Sequence, residues 1–223
     1  MRQFFTTLSL VALLQSPAVV LAQAQLSEQT PSDPIQQVLD AKLMATYPDG
    51  NFHPEQIVSR AELASILVKP FRLDKRGTSQ QAAIPVEDVS PSNPAYNDIQ
   101  VVLKTGIMKG YRGNLFFPDQ RITRGEAFSI IGQAYGVFQF PDNTIQAILA
   151  KYPDSEQLPD WAKKSVATAL YVGLVNTDEQ GTIAPNNPMT RGDVAYALSK
   201  NLNLAKQQSP EVLEEQLRNQ DGF

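Results

Sequence analysis

The sequence predicts an all-α fold of three helix–loop–helix units, and three observations carry that reading. A proline is followed, five residues on, by a hydroxyl residue, an arginine, a small residue and an acid. This happens at Pro54 to Ser59-Arg60-Ala61-Glu62, Pro118 to Thr123-Arg124-Gly125-Glu126, and Pro185 to Thr190-Arg191-Gly192-Asp193. Recurrence about every 65 residues marks an internal repeat. Second, apolar residues align in all three copies at helical offsets of three and four. Ile35 and Leu39, Ile99 and Leu103, Val166 and Leu170 precede the loop; Leu63 and Leu67, Ala127 and Ile131, Val194 and Leu198 follow the arginine. Third, no alternating run is long enough for a strand.

The elements follow in chain order. Arg2, the apolar stretch 4–14 and the Ala22-Gln23-Ala24 site predict a secretory signal peptide over 1–24, too short to span a bilayer comfortably. Residues 25–32 are polar and expected to be flexible. The first unit covers 33–71, with helices over 33–44 and from Ser59 to the breaker Pro70. A polar connector covers 72–85. The second unit, 86–137, places helices over 94–105 and 124–135, stopped by Gly136. An additional helix is expected over 141–152. The third unit, 152–202, holds helices over 159–172 and 191–202. A tail over 203–223 follows, with a short helix from Ser209-Pro210 through Leu217. Turn glycines (Gly50, Gly113, Gly181) punctuate the loops, preceded by Lys42, Gly106 and Gly173 at one matched position and Tyr47, Tyr111 and Asp178 at another.

Charge and size exclude several function classes. The chain carries 19 basic and 23 acidic side chains, and loss of Arg2 with the leader leaves a balance of −5. Nucleic acid and anionic membrane surfaces need concentrated lysine and arginine, so neither is an expected partner. Cysteine is absent, which removes disulfides and a lipoprotein attachment point. Units of this size are too small to bury a core alone, so they must pack on one another.

The recurrent tetrapeptide has a structural explanation for three of its positions. Ser59/Glu62, Thr123/Glu126 and Thr190/Asp193 have capping-box spacing, with aspartate's shorter reach predicting the weakest box in the third unit. The small residue fits close packing. The arginine is different, because a cation in the first helical turn faces the positive end of the helix dipole at a cost of about 0.3–1 kcal/mol. Three at equivalent positions imply something negative opposite each. Either a carboxylate of a neighbouring unit, or an anionic ligand held by helix N–H groups and the guanidinium, meets the requirement. The residues alone leave both open.

Longer segments then enter. Tyr152-Pro153-Asp154 precedes Trp161 to Val166, and Val86-Glu87-Asp88-Val89 precedes Pro94-Ala95-Tyr96-Asn97-Asp98-Ile99 and Gly106-Ile107. The first unit reads Tyr47-Pro48-Asp49-Gly50-Asn51-Phe52-His53-Pro54 before Ser59. Over about residues 33–202 this pattern resembles the S-layer homology (SLH) domain, a cell-wall-anchoring repeat usually found in threes. Its motif runs aromatic-x-Asp, Trp-Ala-x-x-Ala-Ile, Gly-Ile, Tyr-x-Asp-Gly-x-Phe-x-Pro and Thr-Arg-Ala-Glu. The resemblance implies a pseudo-threefold assembly whose inter-unit grooves bind cell-wall polysaccharide, often bearing pyruvyl ketals. It also implies an exported, envelope-located protein. Arg60, Arg124 and Arg191 then engage the ligand's carboxylate, with Ser59, Thr123 and Thr190 donating beside them. Trp161 either stacks on a sugar or sits half-buried in the core.

Departures rank the grooves. The first unit has no aromatic-x-Asp start and no tryptophan, Pro94 stands where the second tryptophan falls, and the third loop lacks the Tyr and Phe positions. On this basis the grooves of Arg124 and Arg191 rank above that of Arg60. No catalytic residue, metal site or cofactor is expected. The single histidine, His53, lies in a turn and is expected to face solvent, and an EF-hand reading of Asp49-Gly50-Asn51 fails because its twelfth position is Arg60. A rival reading is a structural or protein-binding envelope module without a glycan ligand, docking on a partner through the tail 209–223.

Overall fold

The computed structural model describes residues 33–77 and 81–209. Among them are seven α-helices: α1 (Pro34–Asp40), α2 (Arg60–Val68), α3 (Tyr96–Lys104), α4 (Arg124–Tyr135), α5 (Asp142–Leu149), α6 (Asp160–Tyr171) and α7 (Arg191–Gln207). Short 3₁₀ turns at Leu73–Lys75 and Ser155–Gln157 complete the set, and strand pairing among these residues is limited to isolated bridges. No helix here is long and apolar enough to cross a membrane. The expected leader, the 25–32 segment and the terminal helix beyond Ser209 lie outside the described residues.

Two helices depart from expectation. α1 stops at Asp40, short of Met44, because Lys42 turns left-handed at φ 53°, where Leu43 N–H closes onto Val38 O at 2.9 Å. Gly106 and Gly173 take the same turn in the other units, at φ 71° and 77°, without the steric cost lysine carries. α7 runs past Leu202 to Gln207, since Leu204 still packs on the core and the next breaker is Pro210. The 72–85 connector is less polar in structure than in sequence. Leu73 is fully buried, and the Gln100 amide both donates to and accepts from the Ile84 backbone at 2.8 Å.

The three units close a ring through backbone hydrogen bonds at matched positions. Val58 N–H donates to Met189 O (2.9 Å), Met189 N–H to Ile122 O (2.9 Å), and Ile122 N–H to Val58 O (3.4 Å). All three residues are buried, so the cycle satisfies backbone groups that water cannot reach. Only a threefold arrangement makes equivalent positions donate in turn around a closed loop, so the units pack as a pseudo-threefold ring.

The loop conformations have an identifiable support. His53, Phe117 and Ala184, each just before the motif proline, are left-handed at φ 52°, 55° and 51°. Such a conformation costs an L-residue about 1–2 kcal/mol. Asp88 holds the second loop by accepting from the N–H groups of Phe116 (2.8 Å) and Phe117 (2.6 Å). Asp154 does the same for Ile183 (2.9 Å) and Ala184 (2.6 Å) in the third. The aspartates of Val86-Glu87-Asp88 and Tyr152-Pro153-Asp154 therefore act as loop clamps. His53 is half-exposed, its ring nitrogens against Asp49 Oδ2 (2.5 Å) and Glu55 Oε1 (3.2 Å).

The tightest helix contact joins α4 to α6. Ser129 and Ser165 hydroxyls meet at 2.7 Å, and a Cβ on Gly132 would lie 2.2 Å from Ser165 O. By contrast a Cβ on Gly125 would stand 3.1 Å from the Pro185 Cβ and O, a gap that small shifts relieve. Overpacking of a helix contact costs about 1–3 kcal/mol, so Gly132→Ala is expected to lower the thermal midpoint by roughly 3–10 °C. Gly125→Ala serves as the mild control, and calorimetric melting of both variants checks the difference.

Candidate functional site

Each motif arginine, with the residue that follows it, reaches across to the next unit and binds it at four matched places. The main-chain N–H groups of Arg60, Arg124 and Arg191 donate to Gln120 O, Asn187 O and Gln56 O at 2.9, 2.8 and 2.8 Å. The following residues, Ala61, Gly125 and Gly192, donate to Pro118 O, Pro185 O and Pro54 O at 2.9, 2.8 and 2.8 Å. The guanidinium Nε atoms donate to Phe116 O, Ile183 O and Phe52 O at 2.8, 2.7 and 3.1 Å. The Nη2 atoms donate to Lys109 O, Asn176 O and Ala45 O at 2.8, 2.6 and 2.6 Å. The direction is first unit to second, second to third, third to first.

This geometry corrects one form of the ligand hypothesis. The first two helical N–H groups are taken by neighbouring carbonyls, and Ser59, Thr123 and Thr190 accept the third, from Glu62, Glu126 and Asp193, at 3.2, 3.3 and 3.2 Å. The first three helical N–H groups at each entrance are therefore already engaged. The hydroxyls serve as caps. Gly125 and Gly192 permit the neighbour's proline to approach, as the small-residue position predicts.

The three guanidinium groups differ in their acids. Arg124 Nη1 pairs with Asp193 Oδ1 at 2.6 Å, and Arg191 Nη1 pairs with Glu62 Oε1 at 2.6 Å. Each partner is the motif acid of the next unit. By the same rule Arg60 faces Glu126, yet no carboxylate among the described residues lies within ion-pair distance of it. Glu126 Oε2 instead accepts from Thr123 N–H (3.0 Å) and Thr123 Oγ1 (3.1 Å), completing its own capping box. Glu62 makes the opposite choice, pairing across the seam and leaving its box half-made. Asp193 does both, accepting Thr190 N–H on Oδ2 at 3.0 Å. The third box, expected to be weakest, is complete.

Arg60 is held instead between rings and carbonyls. Its guanidinium carbon sits 4.9 Å from the Tyr111 ring centre and 4.7 Å from that of Phe116. Burial lowers its pKa from the ordinary arginine value, while Tyr111, Glu126 and Asp88 act in the opposite direction. The group stays cationic at any physiological pH.

Beside Arg60 opens a groove of about 650 Å³. One side is the loop 109–111; another is α4, with Glu126, Ile130 and Gln133; the third is the start of α6, with Trp161, Lys164 and Ser165. Trp161 is 63% exposed, so the half-buried core alternative does not describe it. The corresponding groove at Arg191 is about 330 Å³, lined by the 43–47 segment, Glu62, Ser65 and Ile66. Pro94 occupies the tryptophan position that would wall this smaller groove. The seams thus differ: Arg124 and Arg191 are engaged by carboxylates, whereas Arg60 borders the groove that holds Trp161. The reason lies in the ring, which joins the arginine of the first unit to the loop of the second and the tryptophan of the third.

Lys109, Tyr111 and Lys164 also line this groove and were not singled out from sequence. Tyr111 carried a signal, its alignment with Tyr47, and Lys164 is one helical turn from Trp161. The third loop replaces its aromatic pair with polar contacts. Asn176 Oδ1 accepts from Arg124 Nη1 (3.2 Å), and Asn176 Nδ2 donates to Asp193 Oδ1 (2.7 Å). Among the described residues no cluster of His, Cys, Asp and Glu is suited to a metal.

A three-unit helical ring with arginine-bound seams and a tryptophan-walled groove defines a repeat-built module rather than a single-site domain. The family model of the S-layer homology domain matches residues 28–64, 87–128 and 151–195, and the chain belongs to that family. It is similar to the surface-layer 125 kDa protein of Lysinibacillus sphaericus, 28% identical over 210 residues, 90% of this chain and 17% of that protein. It is also similar to cell surface glycoprotein 1 of Acetivibrio thermocellus, 28% identical over 194 residues, 83% of this chain and 8% of that protein. The cellulosome-anchoring protein of the same organism is 25% identical over 162 residues, 73% of this chain and 36% of that one. The chain thus spans a minor part of each of these relatives.

The paired arginines generate a stability prediction. Arg124→Met leaves the enclosed Asp193 carboxylate without its cation, a loss of about 3 kcal/mol for a buried pair. A smaller loss is expected for Arg191→Met, whose partner Glu62 is 28% exposed. Burial acts to raise the Asp193 pKa, but Asn176, Arg124 and the Thr190 amide together hold it below the ordinary 3.8. A depressed folded-state pKa stabilises the fold above the unfolded value of about 3.9 and ceases to do so as pH falls through the folded value. Melting curves are expected to fall below about pH 4 in the wild type and to do so less steeply in Asp193→Asn, which starts lower at neutral pH.

Proposed function

We propose that this chain anchors non-covalently to cell-wall polysaccharide in the bacterial envelope, outside the cytoplasm, as a binding module without catalytic activity. The ligand is an anionic, peptidoglycan-linked glycan whose carboxylate, carried for example on a pyruvyl ketal, meets Arg60. The observation that carries this reading is that Arg60 has no carboxylate within ion-pair distance among the described residues and borders a groove walled by Trp161, Tyr111, Lys109 and Lys164. A guanidinium prefers a carboxylate that it can fork, two lysine stems add positive charge, and a flat indole offers its face to a sugar ring. Arg124 and Arg191, together with the Ser59, Thr123 and Thr190 hydroxyls, are assigned to the scaffold. Membership in the S-layer homology family, and similarity to proteins named for the cell surface and for anchoring, support the envelope assignment.

The test uses sacculi. The full chain is expected to be retained on intact purified sacculi, to be lost from sacculi stripped of polysaccharide, and to weaken on sacculi whose ketals have been removed with mild acid. Trp161→Ala, at an exposed position, is expected to weaken retention about tenfold, or 1.4 kcal/mol, with its melting temperature unchanged. Retention on stripped sacculi, or none on intact ones, overturns the reading in favour of an envelope scaffold.

A further inference from the structure

The groove does not end at Trp161. Val137 and Lys164 line it, and Lys164 Nζ donates to Gln139 Oε1 at 2.8 Å. The segment 137–140 thus leads from the groove directly to a second aromatic cluster. Phe138 and Phe140 rings meet at 5.3 Å, and both meet Tyr171, at 5.9 and 5.1 Å, in edge-to-face geometry. Tyr135 joins through Phe138 at 6.1 Å. Phe140 and Tyr135 reach the core, but Tyr171 is 63% exposed, as much as Trp161.

The two exposed rings share a helix face. Trp161, Lys164, Thr168 and Tyr171 follow one another at offsets of three, four and three along α6. Phe138 N–H donates to Thr168 Oγ1 at 3.2 Å, tying the connector to that face. Ten residues of helix separate the two rings by roughly 15 Å, more than one sugar ring can bridge. The connector before helix α5 stands outside the repeat motif, so none of the ring's matched contacts requires its Phe138 and Phe140.

We propose that the bound glycan runs from the Arg60 groove along α6, with a second sugar, further along the same polymer, resting on Tyr171 beside Phe138 and Phe140. This rests on the reading of the groove given above and adds to it the length of ligand recognised. The polar atoms of Lys164 and Gln139 between the two aromatic platforms suit the hydroxyl-rich stretch joining the two sugars. A protein partner would instead be expected to cover a continuous apolar patch, which this face is not.

The experiment compares ligand lengths. Polysaccharide released from purified sacculi is partly hydrolysed, and short and long fragments are titrated calorimetrically against the full chain and its Tyr171→Ala, Tyr171→Phe and Trp161→Ala variants. Tyr171→Ala is expected to lower long-fragment affinity about tenfold, with short-fragment affinity unchanged. Tyr171→Phe, which keeps the ring, is expected to retain long-fragment binding. If Tyr171→Ala leaves long fragments unaffected while Trp161→Ala weakens both lengths, the track along α6 is wrong and the groove reading stands. If Trp161→Ala also changes neither, the groove reading fails and takes the track with it. Loss of binding to a polysaccharide-free envelope protein in Tyr171→Ala, with both fragments unaffected, makes the patch a protein dock and overturns the proposal.

Discussion

A guanidinium that donates to two carbonyls of the next unit, at a helix entrance whose own N–H groups are also taken by that unit, is the contact from which the ring is built. Its logic is accounting of buried polar groups. Each loop presents a set of outward carbonyls, and each following helix presents orphan N–H groups. Neither set is satisfied inside its own unit, and both are satisfied by the neighbour. Because unit one gives to two, two to three and three to one, any open chain of fewer units leaves one seam of donors and acceptors buried and unpaired. Arginine suits the position for reasons lysine does not share. Its fork reaches Nε and Nη2 acceptors simultaneously, and its flat face lies against the aromatic rings of the same loop. The unfavourable placement at the positive end of a helix is offset by these carbonyls, which are themselves partial negative charges.

The symmetry of the backbone contacts makes the side-chain differences informative. All three seams repeat the same four contacts to main-chain carbonyls, but their acids behave in three ways: Glu62 crosses the seam, Asp193 crosses it and caps, and Glu126 only caps. Local hydrogen bonds to Thr123 N–H and Oγ1 therefore compete with the Coulomb attraction of Arg60, and at this seam the cap wins. The outcome leaves a buried cation with only neutral partners, next to the one tryptophan of the chain. A buried charge in that condition is more costly than its paired counterparts.

Much of the fold was legible because its determinants are local. Helical spacing, Pro70, Gly136 and the capping residues fix element type within a few positions, and the repeat itself fixes their number. The misses have specific causes. Lys42 ends α1 by adopting a conformation that sequence spacing reserves for glycine, and Leu204 extends α7 because core contact overrides a family boundary. The site was half legible. Motif alignment identified Arg60 and Trp161 separately, but their juxtaposition depends on the circular order of the units, which no local pattern encodes. Ranking grooves by how complete each repeat's own motif is assumes that a groove belongs to one repeat, and that assumption put Arg60 last.

Ownership of the groove by three units has a consequence for how such a module can vary. Arg60 comes from the first unit, Tyr111, Lys109 and Glu126 from the second, and Trp161 and Lys164 from the third. A single unit neither buries a sufficient core nor supplies all the walls, so the groove exists only in the closed ring. The contacts that close it are backbone carbonyls and an arginine fork, which tolerate change in most side chains around them. The walls of each groove are thereby free to diverge: Pro94 for tryptophan at one seam, Asp178 and Ile183 for aromatics at another. Such divergence leaves the seams intact where the arginine finds an acid, as Arg124 does in Asp193 and Arg191 in Glu62.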